Sequence, residues 1–153
     1  MPVEVVGDVR KWLEEPRFWT VGTLNEDGSP QLTPMWIGLE TVDGTEHIVM
    51  NTSVGRIKEQ NLRRDPRLSL SSFDPDQPYD RVEIRGRAVG FIEGQDAVHI
   101  MDRLARKYLD AETFPWLIDG EQRVAVLIHP DRIHRTVGVE PFRPGILPDG
   151  RVL

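Results

Sequence analysis

The chain contains no cysteine. Disulfides, thiolate metal sites and a cysteine nucleophile are therefore excluded, and a reducing compartment fits. No stretch approaches the roughly 18 apolar residues of a membrane-spanning helix. The opening residues, Met1-Pro2-Val3-Glu4-Val5-Val6-Gly7-Asp8, lack the basic and apolar regions of a secretory signal. A cytoplasmic protein, with no membrane partner, is the expectation. Basic charge is in short supply: 19 Lys+Arg against 25 Asp+Glu leave a net charge of −6 and a pI near 5.2. A general nucleic-acid binder displaces counterions with clustered Lys and Arg, so nucleic acid is not an expected partner. The Gly-Lys-Ser/Thr ending of a P-loop, the nucleophile elbow and the Asp-x-Asp-x-Asp-Gly calcium pattern are all missing. His47, His99, His129 and His134 are scattered over different elements, and no metal site is expected.

Turn formers are abundant, with 13 Gly and 12 Pro in 153 residues. That suggests many turns and hence many strands. The length fits a single domain over residues 1–153, with no linker or internal repeat. Asp8 to Glu15 reads as a short helix stopped by Pro16, so residues 1–16 form an N-terminal helical segment. Phe18 to Leu24 is a strand, and Asn25-Glu26-Asp27-Gly28 a turn. Gln31 to Glu40 reads as one strand interrupted at Pro34. His47 to Asn51 follows as another. A helix carrying Ile57 and Leu62 ends near Asp65-Pro66. Arg67 to Phe73 alternates as a strand, and a Pro/Asp-rich loop spans Asp74 to Pro78. Arg81 to Glu93 is a long strand with Val82, Ile84, Gly86 and Ala88 on one face. Asp96 to Leu109 is a helix with an apolar stripe of Val98, Met101, Leu104, Ala105 and Tyr108. Val124 to Ile128 suits a strand buried on both faces, and residues 138–153 an extended tail. Six or seven strands with three short helices do not alternate as βαβ units. They predict a mainly β (α+β) fold, an antiparallel barrel with peripheral helices.

Two stretches could carry chemistry. The first, Asn51-Thr52-Ser53-Val54-Gly55-Arg56-Ile57-Lys58, leaves a strand and opens a helix. A helix N-terminus presents unpaired N–H groups and partial positive charge. Hydroxyls from Thr52 and Ser53 and cations from Arg56 and Lys58 make this a candidate phosphate cradle. It also fits a capped surface helix with solvated basic residues. The second, Thr33-Pro34-Met35-Trp36, offers an adaptable Met and a flat indole beside a strand proline. A planar ring could lie there, and so could an ordinary barrel strand with its core Trp.

In order and spacing these stretches resemble the pyridoxamine 5′-phosphate oxidase-like family of FMN-binding split barrels, and within it the branch that uses the deazaflavin coenzyme F-420. The resemblance rests on Gly28-Ser29-Pro30-Gln31-Leu32-Thr33-Pro34-Met35-Trp36, on Asn51-Thr52-Ser53 with Gly55-Arg56 and Lys58, and on Asn61-Leu62-Arg63-Arg64-Asp65-Pro66-Arg67-Leu68. It continues through Pro78-Tyr79, Val82-Glu83-Ile84-Arg85-Gly86-Arg87-Ala88, Leu104-Ala105-Arg106-Lys107-Tyr108-Leu109 and Phe114-Pro115-Trp116, to about residue 137.

The resemblance implies a six-stranded split barrel that forms a homodimer, with cofactor sites at the dimer interface. By the match, Arg56 and Lys58 would hold the cofactor phosphate, with Asn61 assisting. Thr33, Pro34, Met35 and Trp36 would run beside the ring system. Asn51, Thr52 and Ser53 would meet the ring edge or ribityl chain, and Tyr79 and Trp116 would come from the partner subunit. The implied activity is hydride transfer from reduced coenzyme F-420 to an electron-poor conjugated small molecule. A non-catalytic F-420 carrier, or an FMN-dependent enzyme of the same fold, are the competing expectations. The flavin oxidases carry arginine where Thr33 stands, and adjacent Arg-Lys where Ile57 separates Arg56 from Lys58. Their C-terminal Arg and His substrate motif has no match here. These departures point away from vitamin B6 oxidation and toward the deazaflavin branch.

Overall fold

The computed structural model describes residues 2–138, 144–147 and 149–152. Part of the expected 138–153 tail therefore lies outside the described residues; the described part holds a bridge from Ile146 to Val152. The elements are α1 (Gly7–Glu14), β1 (Phe18–Leu24), β2 (Pro30–Trp36), β3 (Gly38–Val42), β4 (Thr45–Ser53), α2 (Ile57–Arg64), β5 (Arg67–Asp74), β6 (Gln77–Glu93), α3 (Gly94–Leu109) and β7 (Arg123–Thr136). None of the described helices is long and apolar enough to cross a membrane.

All strand pairs are antiparallel, in the order β2-β1-β5-β6-β7-β4-β3. The two edge strands, β2 and β3, are consecutive in the chain with only Ile37 between them. Neighbouring strands lie about 4.8 Å apart, so a single residue cannot span a flat sheet of this width. The sheet curls until its edges approach, and Ile37 crosses the seam. This is the expected split barrel, with seven strands in place of six.

The extra strand comes from residues 31–40, which divide at Ile37 rather than at Pro34. Pro34 sits on an edge strand opposite Thr20, where a missing N–H leaves no ladder partner unserved. At fully buried Ile37 the backbone bonds elsewhere. Its N–H donates to the Tyr108 hydroxyl at 3.1 Å, and its carbonyl accepts from Lys107 Nζ. Lys107 also donates to the Leu13 carbonyl at 2.6 Å, and Tyr108 donates to the Arg17 carbonyl. The end of α3 thus ties the seam to α1 and to the entry of β1. Burial pushes the Lys107 ammonium down to about 8 and the Tyr108 phenol up to about 12. Tyr108→Phe leaves the Ile37 N–H and the Arg17 carbonyl unserved. It should cost about 1–3 kcal/mol in urea denaturation; an unchanged midpoint would refute this role for the hydroxyl.

The core has two parts. Inside the barrel lie Trp19, Val21, Met50, Leu62, Leu70, Val82, Ile84, Val126 and Ile128. Between the sheet and α3 lie Val49, Ala97, Ile100, Ala125 and Leu127. β4 and β7 are therefore buried on both faces, as the run Val124–Ile128 predicts. The α3 stripe is rotated slightly from expectation: Ala97 and Ile100 are buried with Met101, Leu104 and Ala105, while Val98 and Tyr108 are half-buried. Ala97 and Ile100 pack against Val49, Ala125 and Leu127 of β4 and β7. Residues 74–78 close a tight hairpin rather than a loop, because β6 already begins at Gln77. The outward row Glu83, Arg85 and Arg87 on β6 matches the expected alternation.

Candidate functional site

β4 ends at Ser53, and the chain turns through Val54 and Gly55 into α2. Gly55 sits at φ +91°, in the left-handed region where side chains are strained. Its N–H donates to Glu59 Oε2 at 3.0 Å, and Glu59 Oε1 accepts from Arg63 at 2.5 Å. Arg56 occupies the N-cap position with extended backbone and makes no side-chain cap. The first-turn amides of α2 therefore have no side-chain acceptor and are open to an anion.

Lys58 stands on that first turn. It is half-buried, not fully exposed as a solvated surface lysine would be. Among the described residues it has no carboxylate partner. Burial holds its ammonium below the ordinary lysine range, and the nearby charges of Arg56 and Arg123 push the same way.

Arg123 opens β7 directly across from Ser53 in the ladder. It is only 8% exposed. Its guanidinium donates to Asn51 Oδ1 at 2.9 Å, Ser53 Oγ at 3.1 Å and Glu121 Oε1 at 3.2 Å. Glu121 also accepts from the Ser53 hydroxyl, and Arg56 approaches the same oxygen at 3.8 Å. These contacts hold the Glu121 carboxyl below its usual range, the Ser53 hydrogen bond first. Asn51 completes the frame by donating to the Ala97 carbonyl at 2.8 Å, at the start of α3.

An aromatic wall adjoins this polar frame. The Trp36 indole stacks on the Tyr108 ring, centroids 5.0 Å apart and planes at 7°. Phe114 meets Trp36 edge-on at 6.1 Å, and Trp116 meets Phe114 at 5.7 Å. The Arg123 guanidinium lies 5.4 Å from the Phe114 ring, joining wall and frame. Beyond Phe114 the loop exposes Trp116, Leu117 and Ile118 in succession, Trp116 at 59% and Ile118 at 64%.

The structure thus gathers Trp36, Asn51, Ser53, Arg56, Lys58 and Trp116 into one region. Trp116 reaches it within its own chain. Thr52 points the other way: strand alternation sends it to the barrel side with Met50, where its Oγ1 is buried without a hydrogen-bond partner among the described residues. Asn61 lies in a different network. Its amide donates to Thr23 at 3.0 Å and Asn25 at 2.9 Å and accepts from Arg64 at 3.1 Å, which ties α2 to β1. Thr33 is half-buried opposite Val21, Pro34 is exposed, and Met35 packs against the barrel core. Tyr79 is exposed near the start of β6, by the β5–β6 hairpin.

Arg123, Glu121, Phe114 and Tyr108 did not stand out in sequence as site residues. Arg123 carries one faint signal, a charge at the head of the apolar run Val124–Ile128. Its pairing with Ser53 depends on a register that only the fold supplies. His129 stacks on His47, centroids 4.7 Å apart and planes at 11°.

Residues 6–136 match the family model described as pyridoxamine 5′-phosphate oxidase. Among solved structures, the chain is 25% identical to an F420 reductase, with a TM-score of 0.70, covering 85% of this chain and 98% of that one. It is 26% identical to a conserved hypothetical protein from Mycobacterium tuberculosis, with a TM-score of 0.67, covering 89% and 86%. A putative pyridoxamine 5′-phosphate oxidase from Listeria innocua shares the fold at 18% identity and a TM-score of 0.54, covering 78% and 87%. No curated protein matches the chain.

Proposed function

The chain belongs to the pyridoxamine 5′-phosphate oxidase family, and from that premise we propose that it is a coenzyme F-420-dependent reductase. The observation that carries this reading is Lys58: a half-buried cation without a carboxylate partner, beside Arg56 and on an uncapped helix start. A desolvated, unbalanced ammonium is costly unless a ligand neutralises it. A phosphate fits that position, and the residues present therefore fit a phosphate-bearing cofactor. The likeness to a structure named F420 reductase favours the deazaflavin over FMN.

When bound, the reduced deazaflavin supplies a hydride for an electron-poor conjugated acceptor. The chain's own residues bind and orient. Lys58, Arg56 and the first-turn amides of α2 take the phosphate. Trp36, held flat by Tyr108, presents an aromatic surface at the ring end. The exposed loop with Trp116, Leu117 and Ile118 limits water around the reacting centre.

The reading includes a homodimer with the site at its interface. The outer face of β2-β1-β5-β6-β7 supports it. That face has a groove of about 620 Å³ lined by Thr20, Gly22, Leu32, Ser69, Arg85 and Arg132, among others. Arg85 and Arg132 lie directly opposite in the β6–β7 ladder, where like charges repel. Neither has a carboxylate partner among the described residues. Glu83 lines the same groove and approaches Arg81 at 4.0 Å, and a second copy would cover this face and could supply acids for Arg85 and Arg132. Light scattering should give a dimer mass, and a monomer at micromolar concentration would remove this part of the reading.

The cofactor is tested by competition. Reduced and oxidised F-420 should displace FMN from the purified protein, followed by flavin fluorescence. Tighter binding of FMN would overturn the assignment in favour of a flavin enzyme. Tight F-420 binding without turnover of quinones or enones would make the protein a carrier.

A further inference from the structure

Among the described residues Glu121 is the acid in contact with both Arg56 and Arg123, and its placement is unusual. Its side chain is nine-tenths buried. Oε1 takes three approaches at once, from Ser53, Arg123 and Arg56. Oε2 is buried and has no hydrogen-bond partner among the described residues. Buried carboxylates are ordinarily satisfied at both oxygens. Here the carboxylate is held by its charge, through one oxygen.

The chain delivers Glu121 deliberately. Gly120 sits at φ +80°, a left-handed position that reverses the chain after the exposed Leu117-Ile118 turn. The Glu121 N–H then bonds back to the Ile118 carbonyl at 3.0 Å. The next residue but one, Arg123, enters the ladder with Ser53. The acid is therefore fixed next to the cations it serves.

Two other acids near this end, Glu59 and Glu93, share a single cation, Arg63. Glu59 is taken by Arg63 and the Gly55 amide, and Glu93 pairs with Arg63 at 2.5 Å. Around the open helix start stand Arg56, Lys58 and Arg123, and Glu121 is the acid that approaches two of them, Arg56 and Arg123. These four groups leave an excess of positive charge, which Glu59, sharing Arg63 with Glu93, partly offsets. Arg56 is 56% exposed in its side chain and so can turn toward a ligand.

We propose that Glu121 is the resident counter-ion of the anion site, a carboxylate that competes with a ligand's phosphate for Arg56 and shields Arg123, and so sets how tightly the site holds an anion. This rests on the phosphate-site reading of Lys58. Such an arrangement trades affinity for release. An incoming anion draws Arg56 away from Glu121 and gains less than it would from bare cations. A purely structural Glu121 would have the opposite effect on binding, because losing it would let Arg123 and Ser53 wander.

The sign of one substitution separates the two. Sulfate, a dianion at neutral pH, is titrated calorimetrically at constant ionic strength. Glu121→Gln should bind it about tenfold tighter than the wild type, as expected for removing one like charge at close range in a partly buried site. Glu121→Asp, which draws the charge back from Arg56, should fall between. Melting curves check that both variants fold, and the Asp variant alone decides the matter if the Gln variant does not. Equal or weaker sulfate binding by the folded variants overturns the proposal. Lys58→Ala is run beside them: if it binds sulfate like the wild type, the phosphate-site reading fails and the proposal with it. If Lys58→Ala weakens binding while Glu121→Gln does not tighten it, only the counter-ion role fails.

Discussion

Lys58→Ala should weaken binding of the phosphate-bearing cofactor by about 100-fold, while moving the melting temperature little. A charge-assisted hydrogen bond is worth roughly 1.5–3 kcal/mol, and about 2.7 kcal/mol corresponds to that factor. Among the described residues Lys58 has no acid partner to lose, so its removal relieves repulsion from Arg56 and Arg123 rather than breaking an ion pair. Binding and stability should therefore separate, which a merely structural lysine would not allow. The pH dependence has a definite sign. Burial lowers the Lys58 ammonium from its ordinary value, so in the empty site the charge is lost earlier as pH rises. Affinity for an anion should be full at neutral pH and fall on the alkaline side, before an ordinary lysine would titrate. In Lys58→Ala that alkaline limb should disappear. Fluorescence titration across pH measures both effects, and an unchanged wild-type profile in the variant would sink the assignment.

Gly86→Ala should be the most damaging small substitution in the barrel, costing about 3 kcal/mol or more by chemical denaturation. A Cβ built on Gly86 would lie 2.4 Å from the His129 carbonyl oxygen and 3.3 Å from the Pro130 Cα. Both are backbone atoms of β7, so no side chain can swing aside. The β6–β7 register shifts at this point, between Arg85 and Gly86, because Pro130 cannot donate to the ladder. Glycine lets the two backbones close over the proline. The contrast is Gly90→Ala, whose Cβ would meet the Leu127 side chain at 3.3 Å, a neighbour that can give. A Gly86→Ala protein as stable as the wild type would remove this account of the bulge.

The legible parts of the sequence are those where local chemistry acts alone. Phe18–Leu24 is a strand with both ends as read from the Pro16 stop and the Asn-Glu-Asp-Gly turn. The alternation of Val82, Ile84, Gly86 and Ala88 against Glu83, Arg85 and Arg87 fixes the faces of β6 before any partner is known. The apolar run Val124–Ile128 announces burial on both sides. The β4–α2 junction, with Arg56 and Lys58 beside Gly55, announces a helix start rich in positive charge.

Other features depend on neighbours distant in the chain. Pro34 marks an interruption of residues 31–40 on sequence grounds, but a proline harms a ladder only where its N–H is needed, and β2 lies at the edge of the sheet. The actual break at Ile37 is made by Tyr108 and Lys107, seventy or so residues later in the chain. The family resemblance implies that Asn61 assists with the phosphate. One helical turn after Lys58, it faces Thr23 and Asn25 instead. Thr52 stands between Asn51 and Ser53, yet pleating turns it to the other side of the sheet.

The sequence by itself determined the class of fold, the strand faces and the position of a helix start rich in positive charge, because periodicity, turn chemistry and local charge are local properties. Tertiary structure alone decided what surrounds that place. It paired Arg123 with Ser53, brought Glu121 against Arg56, left Lys58 half-buried without an acid, and set Phe114 between Trp36 and Arg123. The physical reason is that burial and charge balance are sums over neighbours. Those neighbours come from β4, α2, α3 and β7, and only the curled sheet places them together.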